Sequence, residues 1–150
     1  MTQEDKDLLL KDLCARLPYG VKVQYYDNET KKLEAGTIVS CTIPIDETNQ
    51  KYPTFITRRD LLIIQGNTIE DIKPYLFPLS SMTEEQKKYI SDGWGVNEDF
   101  DFEIDPNWGE YFVDLCDVVD FINWCYENHF DINFLILKGS ALDATRLNIY

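Results

Sequence analysis

The sequence predicts an α+β fold: an N-terminal helix and a small antiparallel β-sheet or SH3-like barrel, followed by an acidic C-terminal helical region containing a helical hairpin. Three observations carry this expectation. Residues 2–17 hold an apolar stripe at helical spacing, and short β-branched and aromatic runs separated by turn residues come after it. A second helical stripe then runs from Trp108 to Tyr126, inside a segment holding most of the net charge.

In "TQEDKDLLLKDLCARLPYG", Thr2 caps a helix with acids in its first turn. Leu9, Leu10, Leu13, Cys14 and Leu17 form its stripe, and Pro18 and Gly20 stop it. "VKVQYYD" alternates, "NETKK" turns the chain and "EAGTIVSCTIPI" continues in β-branched residues, which predicts a strand pair. "DETNQKYPT" is a polar loop, "FITRRD" a brief strand and "LLIIQGN" a compact apolar strand. The two prolines of "TIEDIKPYLFPL" forbid a long helix.

Thr83 and Gln86 form a capping box opening a helix expected to stop at Asp92 and Gly93. "NEDFDFEIDP" alternates acidic and apolar residues, as a strand with one wet and one dry face would, and Pro106 ends it. Asp105 and Pro106 suit the N-cap and first position of a helix on which Trp108, Tyr111, Phe112, Leu115, Val119, Ile122 and Tyr126 share a face. Asp131 is expected to cap a last helix, "INFLILKGSALDA", with Phe130 and Leu135 as its hydrophobic staple. "NHFD" would join the two helices into the hairpin. The expected organisation is a helix-and-sheet lobe, 1–82, and an acidic helical lobe, 83–150, sharing one core.

A chain of 150 residues can bury a sizeable core unaided. Its formal charge is −13, unevenly spread: residues 83–131 hold 14 acids and 2 bases, whereas residues 1–82 hold 12 acids and 10 bases. Such a field repels phosphate backbones, so general nucleic-acid binding is not expected. Cys14, Cys41, Cys116 and Cys125 form no C-x-x-C pair and read as small buried hydrophobes. The first residues lack signal-peptide features and no apolar run reaches membrane-spanning length, so a soluble, cytoplasmic, membrane-free protein is expected.

"LLKDLCARLPYGVKV", "IEDIKPYLFPLSSMTEEQKK" and "FINWCYENHFDINFLILKGSALDA" carry a resemblance to a family of small proteins of phages and prophages of gut Bacteroidetes. "KPYL-P-SSMTEE" and "HFD---LI-KG-AL-A" recur in that order. The resemblance implies a phage or prophage setting, and with it the cytoplasm of the bacterial host. It brings no established activity, cofactor or catalytic residue.

Site chemistry is sparse. Carboxylates at i and i+2 on a strand face sit about 6.6 to 6.8 Å apart, too far for neighbours to share one ion, and the glycine of an EF-hand turn is missing. No metal and no cofactor is expected. The acids instead suit an interaction surface: Asp99, Asp101 and Glu103, continued by Glu110, Asp114 and Asp117, would face a basic partner.

Cys125 and His129 would share a face of a continued helix, but no orienting group or oxyanion hole accompanies them. Ser140 lacks the G-x-S-x-G setting, and "GWG" lacks phosphate-loop spacing. Arg58 and Arg59, with Lys51, Lys73, Tyr52 and Tyr75 in the same half, are the candidates for an anion contact, unless they balance Asp60, Glu70 and Asp71. The expected function is a non-catalytic accessory protein that binds a macromolecular partner, expected to be a protein. A nucleotide or small-ligand binder of counter-defence type is the first alternative, and a small hydrolase or metal-dependent enzyme the second.

Overall fold

Leu9 and Leu13, one turn apart on the first helix, are fully buried against the sheet, and Asp12 and Arg16 are buried beside them. The computed structural model describes residues 1–27, 30–42, 54–59, 62–97, 99–100 and 115–150. Helix α1, Gln3–Arg16, begins as expected: the Thr2 hydroxyl accepts from the Asp5 N–H, and the Asp5 carboxylate accepts from Thr2 in return. A 3-10 turn at Leu17–Tyr19 and left-handed Gly20 (φ 70°) redirect the chain into the first strand.

The α+β class is borne out. Strands β1 (Lys22–Asp27), β2 (Lys32–Thr42), β3 (Thr54–Arg59), β4 (Leu62–Thr68) and β5 (Ile72–Leu76) form an antiparallel sheet, extended by the short parallel strand β6 (Leu142–Asp143). The order is β4-β3-β2-β1-β5-β6, a linear sheet rather than a closed barrel among the described residues. Alternation in β1 puts Val23 and Tyr25 on the buried face, where they meet Ile38, Phe55, Ile72 and Leu76 from neighbouring strands. Pairing with β6 starts at Tyr75, one residue past Pro74, which has no N–H to offer.

Helix α2, Glu84–Trp94, opens with the expected Thr83/Gln86 capping box. It runs through Asp92 and Gly93, the expected stop, and ends at left-handed Gly95 (φ 64°). The Trp94 ring lies about edge-on to Tyr89 (5.4 Å) and close to Phe121 and Trp124, and this packing outweighs the helix penalty of Gly93. The strand expected over "NEDFDFEIDP" is replaced at its two described central positions by a turn. The Asp99 N–H donates to the Asn97 side chain (2.9 Å), and Phe100 has φ 65°, which no strand residue adopts.

Helix α3 spans Leu115–Glu127 as expected, but it buries Phe121 and Cys125 rather than the expected stripe: Leu115 and Val119 are exposed, and Ile122 and Tyr126 are half-buried. The expected start at Asp105 and Pro106, with Trp108, Tyr111 and Phe112, lies outside the described residues.

The second helix of the hairpin does not form. Residues 132–140 make turns, and the physical reason is local. The Asp131 carboxylate accepts from the N–H groups of Leu135 (2.9 Å) and Ile136 (2.8 Å), taking donors that a continuing helix would use, and Phe134 sits at φ 56°. The single turn that remains closes at Gly139 (φ 70°). Ser140 N–H donates to the Leu135 carbonyl and Gly139 N–H to the Ile136 carbonyl, a Schellman stop.

Among the described residues, two clusters of buried apolar side chains result. One joins α1 to the sheet and takes in Leu135 and Ala141. The other joins α2 to α3 around Met82, Ile90, Val96, Phe121, Cys125 and Phe130. Arg16 ties them together. Its guanidinium pairs with Asp12 (2.7 and 3.1 Å), donates to the Phe130 carbonyl (2.7 Å) and lies 4.8 Å from the Tyr126 ring centroid. Asn133 donates to the same Asp12 carboxylate (2.9 Å). Among the described residues, no helix is long and apolar enough to cross a membrane.

Replacing Arg16 by Ala leaves the Asp12 carboxylate buried without its cation, and is expected to destabilise the fold by about 3–5 kcal/mol in urea unfolding. Asp12→Leu combined with Arg16→Met should recover much of that loss, because it removes both charges together.

Candidate functional site

The 3-10 turn at Leu79–Ser81, the turn at Asp99 and Phe100, the buried face of α3 and the loop 131–137 surround a groove of about 630 Å³. Its lining is mostly apolar, from Leu79, Phe100, Phe121, Ile132, Phe134 and Leu137. On its rim, Phe134 is 61% and Leu137 86% exposed, unusual values for large apolar side chains side by side in one loop. Both fall within the last helix expected after the Asp131 cap, which does not form. Phe134 is displayed from a left-handed backbone that a bulky residue adopts only against strain.

Asp99 lines this groove and also a second, polar one of about 520 Å³ beside α2, whose other residues include Glu84, Lys87, Lys88, Ser91 and Asn97. Of the expected acidic surface, Asp99 thus stands exposed between two grooves, and Asp117 is half-buried in the first turn of α3. Asp101, Glu103, Glu110 and Asp114 lie outside the described residues. Arg58 and Arg59 belong to β3, facing Ile63 and Leu62 of β4 in the pairing, with β2 and β1 between them and β5. Their side chains lie outside the described set, as do Lys51 and Tyr52. Two of the acids expected to balance them are engaged elsewhere: Glu70 pairs with Lys6, and Asp71 accepts from the Thr68 N–H and hydroxyl. Tyr75, expected as a stacking surface, is buried.

Cys125 and His129 do not share a helix face, because α3 ends at Glu127 and His129 turns away at φ 59°. Burial pushes the Cys125 thiol up to about 12, with the Arg16 charge opposing. Burial, then the charges of Arg16 and Lys22, lower His129 to about 4. A protonated thiol and a neutral imidazole are held at neutral pH, the reverse of an activated nucleophile beside a cationic histidine.

His129 instead sits under Tyr150, ring on ring at 3.9 Å and 17°. The Tyr150 hydroxyl donates to the Tyr75 carbonyl (2.8 Å) and accepts from the Lys22 N–H (3.1 Å), and Lys22 Nζ donates to the Ile149 carbonyl (2.5 Å). This clasp holds residues 149–150 across β1 and β5. Among the described residues, no group of three or more His, Cys, Asp or Glu side chains is arranged to hold a metal ion.

Fold and groove together define an α+β protein with an acid-edged apolar cleft. Comparison of the chain with protein-family profiles, with curated proteins and with solved structures returned no match.

The groove was missed because Asp131 was read as the cap of a last helix running through Phe134 and Leu137. The contrary signal was Asp131 followed by Asn133 and, later, Gly139, residues suited to turns. The clasp had no local signal, since Lys22 and Tyr150 are 128 residues apart.

The depressed His129 value has a definite pH signature. The folded state holds its proton less tightly than the unfolded chain, so His129's contribution is complete above about pH 6.5 and is lost as pH falls toward 4. Stability should drop by up to about 1.4 kcal/mol per pH unit across that window. His129→Asn, which tolerates the left-handed backbone and cannot titrate, should flatten the pH dependence of urea unfolding there.

Proposed function

We propose that the protein is a non-catalytic binding protein whose acid-edged groove takes an apolar side chain from a basic, amphipathic segment of a protein partner. The observation that carries this reading is the pair Phe134 and Leu137, exposed on the rim of an apolar groove by a strained, well-anchored loop. Asp131 fixes the loop through two hydrogen bonds, so the apolar display is preformed and little ordering is required on binding.

Charge supports the choice of partner. Asp99 stands at the groove, and the segment 83–131 around it carries 14 acids against 2 bases. A basic segment would be steered toward this half and phosphate polymers away from it. In the phage or prophage setting suggested by the resemblance, such a protein is an accessory factor acting on a host or phage protein inside the cell.

The test is affinity capture from host cells followed by titration of the captured protein against purified variants. Phe134→Asp should weaken binding at least tenfold, since it places a charge where an apolar anchor docks, and Asp99→Asn should weaken it less and reduce its salt dependence. A partner whose affinity ignores both changes would sink the proposal. So would self-association of the chain, abolished by Phe134→Asp in sedimentation, because the groove would then be covered by a second copy.

A further inference from the structure

After buried Ala144 the chain runs exposed through residues 145–148 and returns to the body at Ile149 and Tyr150. Hydrogen bonds within the exposed stretch are local: the Thr145 N–H donates to the Asp143 carboxylate (2.8 Å) and the Leu147 N–H to the Ala144 carbonyl (2.9 Å). Across the sheet the hold is one side chain and one carbonyl. The Tyr150 ring lies flat on His129 at 3.9 Å and tilts against Phe77 at 5.8 Å. Its hydroxyl donates to the Tyr75 carbonyl and accepts from the Lys22 N–H, and Lys22 Nζ donates to the Ile149 carbonyl.

The receiving surface is rigid without its occupant. Strands β1 and β5 are paired directly, and Phe77 is bonded through its main chain to His129 and Asp131, so both rings and both main-chain groups are already in place. The surface also reads more than an aromatic ring. It offers the phenol one acceptor and one donor, both of which phenylalanine would leave unused, and a phosphorylated tyrosine would set its charge against a carbonyl oxygen.

We infer that Lys22, Tyr75, Phe77 and His129 form a tyrosine-reading slot, that Tyr150 fills it in cis, and that a tyrosine-bearing segment of a protein partner takes the same place in trans. The contacts that carry recognition go to the tyrosine and to the carbonyl before it, so an exposed tyrosine in an extended segment suffices as the ligand. The tethered Tyr150 competes at an effective concentration on the order of millimolar. Its occupancy sets a threshold: dilute peptide is largely excluded, whereas a partner docked beside the slot presents its tyrosine at a comparable local concentration. The slot is separate from the apolar groove, and the inference does not rest on that groove.

The probe is a capped synthetic peptide, TRLNIY, the sequence of residues 145–150, titrated onto the full chain and onto its Tyr150→Ala variant. The variant should bind it at least tenfold more tightly than the native chain, with the His129 ring resonances shifted by the incoming ring. Replacing the peptide's tyrosine by phenylalanine or phosphotyrosine should weaken binding roughly tenfold. Adding Phe134→Asp to the variant should leave binding unchanged. In the native chain, where no substitution can disturb folding, peptide at several times the effective concentration should erase the Tyr150–His129 ring contact in nuclear Overhauser spectra. Equal binding by native and variant chains, equal binding of the tyrosine and phenylalanine peptides, loss of binding with Phe134→Asp, or a ring contact that survives excess peptide would each overturn the inference. So would self-association of the native chain abolished by Tyr150→Ala in sedimentation, which would give the slot to a second copy.

Discussion

The buried Arg16 guanidinium is the constraint on which the rest of the arrangement depends. A charge without exposed surface must be compensated fully, and Arg16 is compensated from both halves of the chain: by Asp12 on its own helix and by the carbonyl of Phe130 beyond the end of α3. Its planar fork makes the two contacts with Asp12 and stacks on Tyr126, which a lysine could not reproduce. The cation also lies at the C-terminal end of α3, where the helix dipole favours it. Asn133 bonds to the same Asp12 carboxylate, so this buried pair also fixes the start of the loop that displays Phe134.

Next to that tie, the edge of β5 organises the C-terminal residues. Phe77 donates to the His129 carbonyl (2.9 Å) and accepts from the Asp131 N–H (2.8 Å), and the Leu76 carbonyl accepts from the Ala144 N–H (2.8 Å). The chain after α3 is therefore pinned to the sheet twice, with the turns 132–140 projecting between the two attachments. The clasp of Tyr150 over His129 closes the same edge and keeps the imidazole dry, which is the origin of its depressed basicity. The strained loop is held by rigid neighbours on both sides, the condition under which a strained conformation persists.

The acidic character and the apolar groove bear on function in different ways. In the proposed binding role, charge would act at a distance on the kind of partner that approaches, whereas the fixed apolar rim would decide what can dock. Asp99 belongs to both descriptions. Its neighbours in "NEDFDFEIDP" read as a regular row of carboxylates, but the turn at Asn97–Phe100 removes that regularity at the positions described.

The sequence by itself determined the features that depend on a few neighbouring residues. The Thr2 and Thr83 capping boxes, the alternation of Val23 and Tyr25, the existence of helix α3 and the α+β class were legible because caps and hydrophobic period are local, whereas the face that α3 buries, Phe121 and Cys125, was not the expected stripe. Of the candidate site, the sequence supplied the acidity and Asp99. Tertiary structure decided the rest. A cap signal cannot tell a helix from a tighter turn, so Phe134 and Leu137, expected on a last helix, became a displayed edge once Asp131 accepted from the N–H groups of Leu135 and Ile136. The Arg16 tie and the Tyr150 clasp join residues 114 and 128 positions apart, and nothing in a local window can specify a partner that only chain folding brings near.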